Sequence, residues 1–330
     1  MNTYRFFTST LIGRIGILIF VWMVFAIGNP DYASMNNLYA MLEGFALVGL
    51  IAAGLAATMI VGELDLSVGS VAAVAGIIAV KTSHLGLVGC VALTVALAIV
   101  YGIVQGYIVG KTGINSLVFT IATLIGMRGV AYALAPTPVQ MPLARLTMSD
   151  ALMQRLWIFS PFSIITLIVL TAIGLVFAYT TWGRELYAFG GGRNEARAAG
   201  LSTMRPLILA FGISGGCAGL AGAMASLKSG AAAPFSFEAL LLTGVTAALV
   251  GGISLYGGRG TMFGVGIGIL TVQFLVSGFS SIGAPTYVGS LATGTLLLVV
   301  LLVEFLTDSP QVKEWRTRRA FAKRLAAAPA

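Results

Sequence analysis

Long apolar stretches without charged residues alternate along the chain with short polar segments. Stretches of about 20 residues suit helices that cross a bilayer, whereas the strands of a membrane barrel are about half as long and alternate in polarity. Because backbone groups in lipid must be paired within the chain, the pattern predicts transmembrane helices. We expect about ten, at 15–29, 39–61, 71–80, 85–110, 117–135, 157–182, 207–227 and 239–256, with 260–303 forming two.

Two glycine-rich segments, 62–70 and 251–260, interrupt the apolar pattern. They resemble each other, with VGELDL at 61–66 and VGGISL at 250–255, as though the chain had two related halves. Paired helix breaks in corresponding positions point to a transport site. Chance similarity in a glycine-rich chain explains the likeness equally well, because the span count places both breaks on one side of the membrane. An inverted five-plus-five repeat would place them on opposite sides.

The composition supports a membrane protein, since 58% of the 330 residues are hydrophobic and only 9% are charged. Soluble domains are about a quarter charged. Cys90 and Cys217 lie within apolar stretches, where we interpret them as small packing residues. With His84 as the single histidine, we expect no metal site. The predicted fold class is therefore an all-α integral membrane protein with about ten transmembrane helices.

Lysine and arginine residues are distributed unevenly between the two sides that ten spans define, in agreement with the positive-inside rule. Arg128 remains within the fifth span. The side that we interpret as cytoplasmic contains Arg5, Arg14, Lys111, Arg184, Arg193, Arg197, Arg205, Arg259, Lys313, Arg316, Arg318, Arg319, Lys323 and Arg324. The outer side contains Lys81, Arg145, Arg155 and Lys228. We expect both termini in the cytoplasm and a basic tail at 307–330 that is attracted to anionic membrane lipid, not to nucleic acid.

Small residues recur every four positions on three of the predicted helices. The stripes are Ala98, Gly102, Gly106 and Gly110; Gly215, Gly219 and Ala223; and Gly260, Gly264 and Gly268. In lipid such stripes allow helix backbones to approach closely, so they predict a tightly packed bundle.

The polar segment at 183–206, after the sixth span, is built to present a short helix. Asn194 suits the N-cap, Glu195 suits the first turn, and Gly200 can end the helix. A plain connection would not need this construction. We interpret the helix at 194–199 as an element offered to a soluble partner.

Four segments together resemble the sugar-type permeases of ATP-binding-cassette (ABC) importers, the family that includes ribose, xylose, galactoside and autoinducer-2 permeases. The segments are Gly192-Arg193-Asn194-Glu195-Ala196 with Ala199-Gly200-Leu201, the break at 62–70, Thr123-Leu124 with Arg128-Gly129, and Phe237-Glu238 with 251–260. They follow the family's order and cover roughly residues 40–305. The chain departs from the family pattern at Glu63 and Arg193, where the family has glycine.

The resemblance implies one transmembrane permease domain at 1–330, with a cytoplasmic coupling loop at 183–206, in the bacterial inner membrane. The sequence contains no glycine-rich nucleotide-binding loop, so the chain is not expected to be an enzyme, and ATP and Mg would bind a separate ATPase subunit. The other implied partners are a second permease copy or paralogue and a periplasmic solute-binding protein. The implied function is import of a small neutral polar solute, such as a sugar or a sugar-like signal.

We expect two sets of site residues, the first implied by the resemblance and the second by ionisable or polar side chains at membrane depth. Those expected to couple the permease to the ATPase are Arg193, Asn194, Glu195, Ala196, Arg197 and Gly200. Those expected to line or gate the translocation path are Glu63, Asp65, Ser67, Arg128 and Glu238. Each residue of the second set also has a structural interpretation. Asp65 or Ser67 can cap the next helix at the cytoplasmic boundary, Arg128 can pair with a carboxylate such as Glu43, and Glu238 suits a helix N-terminus.

Two other transport functions remain open at this point. A secondary transporter driven by an ion gradient needs intramembrane carboxylates, for which Glu43, Glu63 and Asp65 are the candidates. An ABC permease for branched-chain amino acids would bind the substrate carboxylate at exposed half-helix N-termini.

Overall fold

The computed structural model describes the backbone of residues 2–308 and the side chains of residues 11–306. The side chain of Arg5 and the basic residues predicted to form the C-terminal tail lie outside these ranges. The helices are α1 (Asn2–Gly28), α2 (Met35–Ile60), α3 (Val68–Lys81), α4 (Gly86–Thr112), α5 (Ser116–Leu134), α6 (Thr147–Met153), α7 (Pro161–Tyr179), α8 (Thr181–Gly191), α9 (Arg193–Ala198), α10 (Met204–Ser229), α11 (Glu238–Val250), α12 (Met262–Ser281) and α13 (Thr286–Asp308), and the strands are β1 (Val139–Gln140) and β2 (Ala231–Ala232).

The predicted set of about ten apolar helices is confirmed. Eight helices of the described chain are long and apolar enough to cross a membrane, and two shorter apolar helices, α3 and α11, complete the set. Three predicted spans had wrong boundaries. The first belongs to a helix, α1, that begins at Asn2 and not near residue 15. The sixth span, α7, covers 161–179, and the eighth, α11, ends at Val250. Hydropathy continues past Val250, but Gly252 adopts φ +82°, a left-handed conformation that ends the helix.

Helices α2 and α10 form the centre of the bundle, because 72% of the most apolar stretch of each helix is buried. The predicted small-residue stripes of α4 and α10 face each other. A Cβ added at Gly102 would lie 2.8 Å from the carbonyl carbon of Phe211, and one added at Gly215 would lie 3.3 Å from the Cα of Gly102. Backbones this close leave no room for larger side chains. The third stripe is shorter than predicted, since Gly260 precedes α12.

Helix lengths identify two related halves. Helix α2 and helix α10 each contain 26 residues, and each is followed by a short break and a short helix, α3 with 14 residues and α11 with 13. The break at 61–67 therefore corresponds to the one at 230–237, and not to 251–261 as the sequence likeness suggested. The N-termini of the two short helices meet, because a Cβ added at Gly69 would lie 2.9 Å from the carbonyl oxygen of Phe237.

The predicted coupling loop contains two helices, α8 and α9, where the sequence predicted one. Gly192 occupies the N-cap of α9, so the prediction that Asn194 is the cap was wrong. Gly200 ends α9 as predicted, with φ +80° and with its N–H donating to the carbonyl oxygen of Arg197 at 2.9 Å. The extra helix α8 begins at Thr181, because the side chain of Thr180 accepts a hydrogen bond from the N–H of Gly183.

Candidate functional site

Three segments meet at one end of the bundle, which we call the α9 end: the break at 61–67, the α8–α9 segment and the break at 251–261. The N–H of Gly258 donates to the carbonyl oxygen of Ile60 at 2.7 Å. The Tyr187 hydroxyl donates to the carbonyl oxygen of Gly260 at 2.8 Å. Gly190 packs directly against the carbonyl of Ile60, where a Cβ would clash. The α8–α9 segment is thus in contact with both breaks.

One face of the α8–α9 segment is buried and the other is open. Leu186 and Phe189 of α8 pack into the bundle, and Ala196 anchors α9. The other predicted coupling residues are exposed at the α9 end: Arg193, Asn194, Glu195, Arg197 and Gly200. The structure therefore presents these residues as one surface, with Ala196 beneath it as packing.

Glu63 lies at the α9 end, in contact with α9 and not in the interior of the bundle. Its carboxylate forms an ion pair with Arg193 and accepts a hydrogen bond from the hydroxyl of Ser116, the first residue of α5. Arg193 also donates to the carbonyl oxygen of Gly62 at 3.4 Å. The sequence identified Glu63 and Arg193 as two separate departures from the family pattern, and the structure brings them together.

Asp65 is fully enclosed, with 1% of its surface exposed. Its carboxylate accepts hydrogen bonds from the N–H of Ser67 at 3.0 Å, the Ser67 hydroxyl at 2.6 Å and the Ser214 hydroxyl at 2.7 Å. Ser214 lies well within the central helix α10, so Asp65 is held in the interior of the bundle. Ser67 occupies the N-cap of α3, but its side chain makes no capping hydrogen bond, and Asp65 accepts from the N–H of Ser67, outside the helix, so the expected side-chain cap is absent.

A buried glutamine that was not predicted as a site residue, Gln105, extends this polar cluster to two further helices. The Gln105 side-chain nitrogen lies within hydrogen-bonding distance of the hydroxyls of Ser67, Tyr101 and Thr123, at 2.9–3.1 Å. The Thr120 hydroxyl donates to the carbonyl oxygen of Leu64 at 3.1 Å. The available signal was the four-residue spacing of Tyr101 and Gln105, which puts two polar side chains on one face of an apolar helix.

Arg128 pairs with Glu238, with a nitrogen–oxygen distance of 2.8 Å. The expected partner, Glu43, instead forms an ion pair with Lys228. The difference follows from helix packing, because α5 runs along α3, whose N-terminus meets that of α11. Glu238 is the first residue of α11, as predicted, where the helix dipole favours a negative charge.

The Arg128–Glu238 pair lies on the surface of the isolated chain. The two side chains are 41% and 43% exposed, yet Arg128 lies about 9 Å inside the C-terminal end of α5 at 1.5 Å per residue. Lipid does not solvate such charges, so this face of the bundle is suited to water, a polar solute or protein. Among the described residues, no group of three or more His, Cys, Asp or Glu side chains could hold a metal ion.

Comparison with known proteins agrees with this architecture. Residues 37–301 match the family model described as the permease component of branched-chain amino acid transport systems. The L-arabinose ABC transporter permease of Azospirillum brasilense is 30% identical over 302 residues, which cover 89% of this chain and 88% of the relative. The ribose import permease of Escherichia coli K12 is 27% identical over 91% of this chain and 96% of its own.

A third relative, the autoinducer 2 import system permease of Photorhabdus laumondii, is 26% identical over 92% of this chain and 93% of its own. No solved structure matches the chain significantly. The family match spans the central helices, both breaks and the α8–α9 segment. The chain therefore belongs to the family of branched-chain amino acid transport system permease components, as a multi-pass membrane permease.

Proposed function

We propose that this chain is the membrane-spanning subunit of an ABC importer that moves a neutral sugar or sugar-like solute into the cytoplasm. The observation that carries the proposal is the α8–α9 segment, which is anchored on both helix breaks and open on its outer face. A rigid helix pair of this kind can transmit the movement of a docked protein to the bundle. The named relatives are permeases for arabinose, ribose and autoinducer 2, which supports a sugar-like solute.

The ATPase subunit of this importer would dock on Asn194, Glu195, Arg197 and Gly200, whereas the guanidinium of Arg193 is turned toward Glu63 and Phe189. ATP and Mg would bind to that subunit. The α9 end would then face the cytoplasm, together with both termini. The distribution of basic residues supports this orientation, because Lys111, Arg184 and Arg205 accompany α9, whereas Lys228 pairs with Glu43 at the other end. A periplasmic solute-binding protein would dock at that opposite end, and the setting would be the bacterial inner membrane.

The solute would pass along the face that presents Arg128 and Glu238, between this chain and a second permease copy or paralogue. Guanidinium and carboxylate groups donate and accept the hydrogen bonds that sugar hydroxyls need. A second permease would also shield the pair from lipid. Glu63, Asp65 and Ser67 have a different role in this proposal. They do not contact the solute. Asp65 and Ser67 fix the break that supports α3, and Glu63 joins that break to α9.

The charges favour a neutral solute over a branched-chain amino acid. An amino acid carboxylate would be attracted to a half-helix N-terminus. At α11 that position is already occupied by the carboxylate of Glu238, which also neutralises Arg128, so neither the helix N-terminus nor the guanidinium is free for a substrate carboxylate.

An ion-coupled mechanism is also disfavoured. Of its three candidate carboxylates, Glu43 is paired with Lys228 and Glu63 with Arg193. Asp65 is enclosed by hydroxyl groups, away from the surface of the isolated chain.

The experiment is uptake of labelled D-ribose, L-arabinose and L-leucine into right-side-out vesicles that contain the complete importer. We expect uptake of a sugar that requires internal ATP and survives an uncoupler. Uptake that persists without ATP and collapses with an uncoupler would establish the ion-coupled alternative. Uptake of L-leucine in place of a sugar would refute the neutral solute.

Docking on α9 is tested separately with the double charge reversal Glu195→Arg and Arg197→Glu. Both side chains are exposed, so the permease should remain folded. We expect the ATPase to be lost from the purified complex and uptake to be abolished. Arg205→Gln, an exposed substitution at the start of α10, is the control. Full uptake by the double variant would contradict docking at this site.

A further inference from the structure

Glu63 is shared between two helices that are otherwise separate. One carboxylate oxygen pairs with Arg193 of α9, and the other accepts from the hydroxyl of Ser116 at the start of α5. The guanidinium of Arg193 lies over the ring of Phe189, 5.2 Å from its centroid, which fixes its orientation. A single side chain therefore joins the exposed α8–α9 segment to the first turn of α5.

Helix α5 is the element that such a link could move. Among the described helices, α5 packs extensively only along α3, and α9 packs extensively only on α8. An α-helix held along one side can shift or tilt with little loss of packing. The far part of α5 carries Arg128, which pairs with Glu238. A displacement at Ser116 would thus reach the pair that we propose contacts the solute.

The two ends of the ion pair differ in a way that suits a reversible contact. The Arg193 side chain is 47% exposed, whereas the Glu63 side chain is 9% exposed. When the pair opens, water can solvate the guanidinium, and Ser116 still satisfies part of the carboxylate. Asp65, two residues further on, has no comparable freedom, since all three of its hydrogen bonds are enclosed. The break thus contains a rigidly hydrogen-bonded residue, Asp65, and an ion pair at Glu63 that can dissociate.

We propose that Glu63 is a positioning residue, and that its ion pair with Arg193 passes the movement of the α8–α9 segment to α5. The inference rests on the proposed function, because movement of α9 requires an ATPase docked there. Without the ion pair, the ATPase still binds and hydrolyses ATP, but α5 follows the movement poorly. As a consequence, each ATP that is hydrolysed moves less solute.

The test measures the ratio of ATP hydrolysed to labelled D-ribose or L-arabinose accumulated, in liposomes that contain the complete importer. For Arg193→Gln and for Glu63→Gln we expect this ratio to rise by about 5- to 10-fold, at the low end of typical couplings between sites. The charge-preserving Arg193→Lys should give a smaller rise. Arg205→Gln removes the same charge at an exposed site without contact to Glu63, and should match the native ratio.

The exchanged pair, Glu63→Arg with Arg193→Glu, should restore the ratio to within about twofold of native, because it restores the attraction. Thermal unfolding of each complex shows which variants are folded. If the exchanged pair does not assemble, Arg193→Gln decides the question, since its side chain is half exposed and its loss leaves no void. A native ratio in Arg193→Gln, with native transport intact, overturns the link alone. Failure of the native complex to transport either sugar with ATP overturns the proposed function together with the link.

Discussion

The contact between α4 and α10 can be tested with a single methyl group. A Cβ at position 102 would lie 2.8 Å from the carbonyl carbon of Phe211 and 3.1 Å from the Cα of Gly212. Both neighbours are backbone atoms of a central helix, so no flexible side chain can move aside. Gly102→Ala must therefore separate two helices whose contact runs from Ala98 to Gly110.

The magnitude follows from two opposing effects. Overpacking a tight interface costs about 1–3 kcal/mol, and contact with rigid backbone belongs at the upper end of that range. Replacing glycine by alanine within a helix stabilises the protein by about 1 kcal/mol, because alanine has the higher helix propensity. We therefore expect Gly102→Ala to lower the free energy of unfolding by about 2 kcal/mol. Gly266→Ala is the matched control in α12, where no atom lies within 4 Å of the added Cβ, and it should not destabilise the protein.

The assay is reversible unfolding of the purified chain in mixed detergent micelles, followed by tryptophan fluorescence. Gly215→Ala provides a second test from the other side of the contact, because its Cβ would lie 3.3 Å from the Cα of Gly102. The double variant should cost less than the sum of the two single variants, since one separation of the helices accommodates both methyl groups. Equal stability of Gly102→Ala and Gly266→Ala would refute the close packing of α4 and α10.

Three further outcomes are expected. Asp65→Ala should lower the free energy of unfolding by about 2–4 kcal/mol, because the N–H of Ser67 loses its acceptor within the protein. Asp65→Asn retains that acceptor and should cost less than about 1 kcal/mol. Equal losses in the two variants would show that charge outweighs hydrogen bonding. Arg128→Gln should slow sugar uptake by about tenfold, the equivalent of one charged hydrogen bond worth roughly 1.4 kcal/mol, without changing unfolding. Trp157→Gly should leave the stability of the protein unchanged or raise it by up to about 1 kcal/mol in thermal unfolding, because the φ of +62° at this position disfavours any side chain. A clear loss of stability would mean that the exposed ring makes contacts.

The spans were predictable because lipid imposes one solution on any long apolar stretch. Where the prediction failed, local backbone geometry decided the outcome. Hydropathy continues through Ile253 and Leu255, but the left-handed conformation of Gly252 had already ended α11. Helix α8 was missed because its sequence mixes apolar and polar residues. The sequence nevertheless contained a signal, because Leu186 and Phe189 are three residues apart, the spacing that puts both on one face of an amphipathic helix.

The partners of the charged residues could not be predicted in the same way. Arg128 had several carboxylates available, and only the packing of α5 along α3 selects Glu238. The depth of Asp65 depends on where α3 begins, and composition does not encode this. The coupling segment, by contrast, could be identified because the glycines and good helix formers at 192–200 are local signals.

The two breaks that correspond between the halves are built for opposite purposes. Each places an acidic residue at the start of a short helix, where the helix dipole favours it: Asp65 just before α3 and Glu238 at the start of α11. Hydroxyl groups enclose Asp65, which makes the first break a rigid joint. Glu238 remains open beside Arg128, so the second break offers balanced, accessible charge at membrane depth. A balanced pair attracts neither anions nor cations strongly but can hydrogen-bond hydroxyls, and a neutral polyol is the solute that this arrangement suits best.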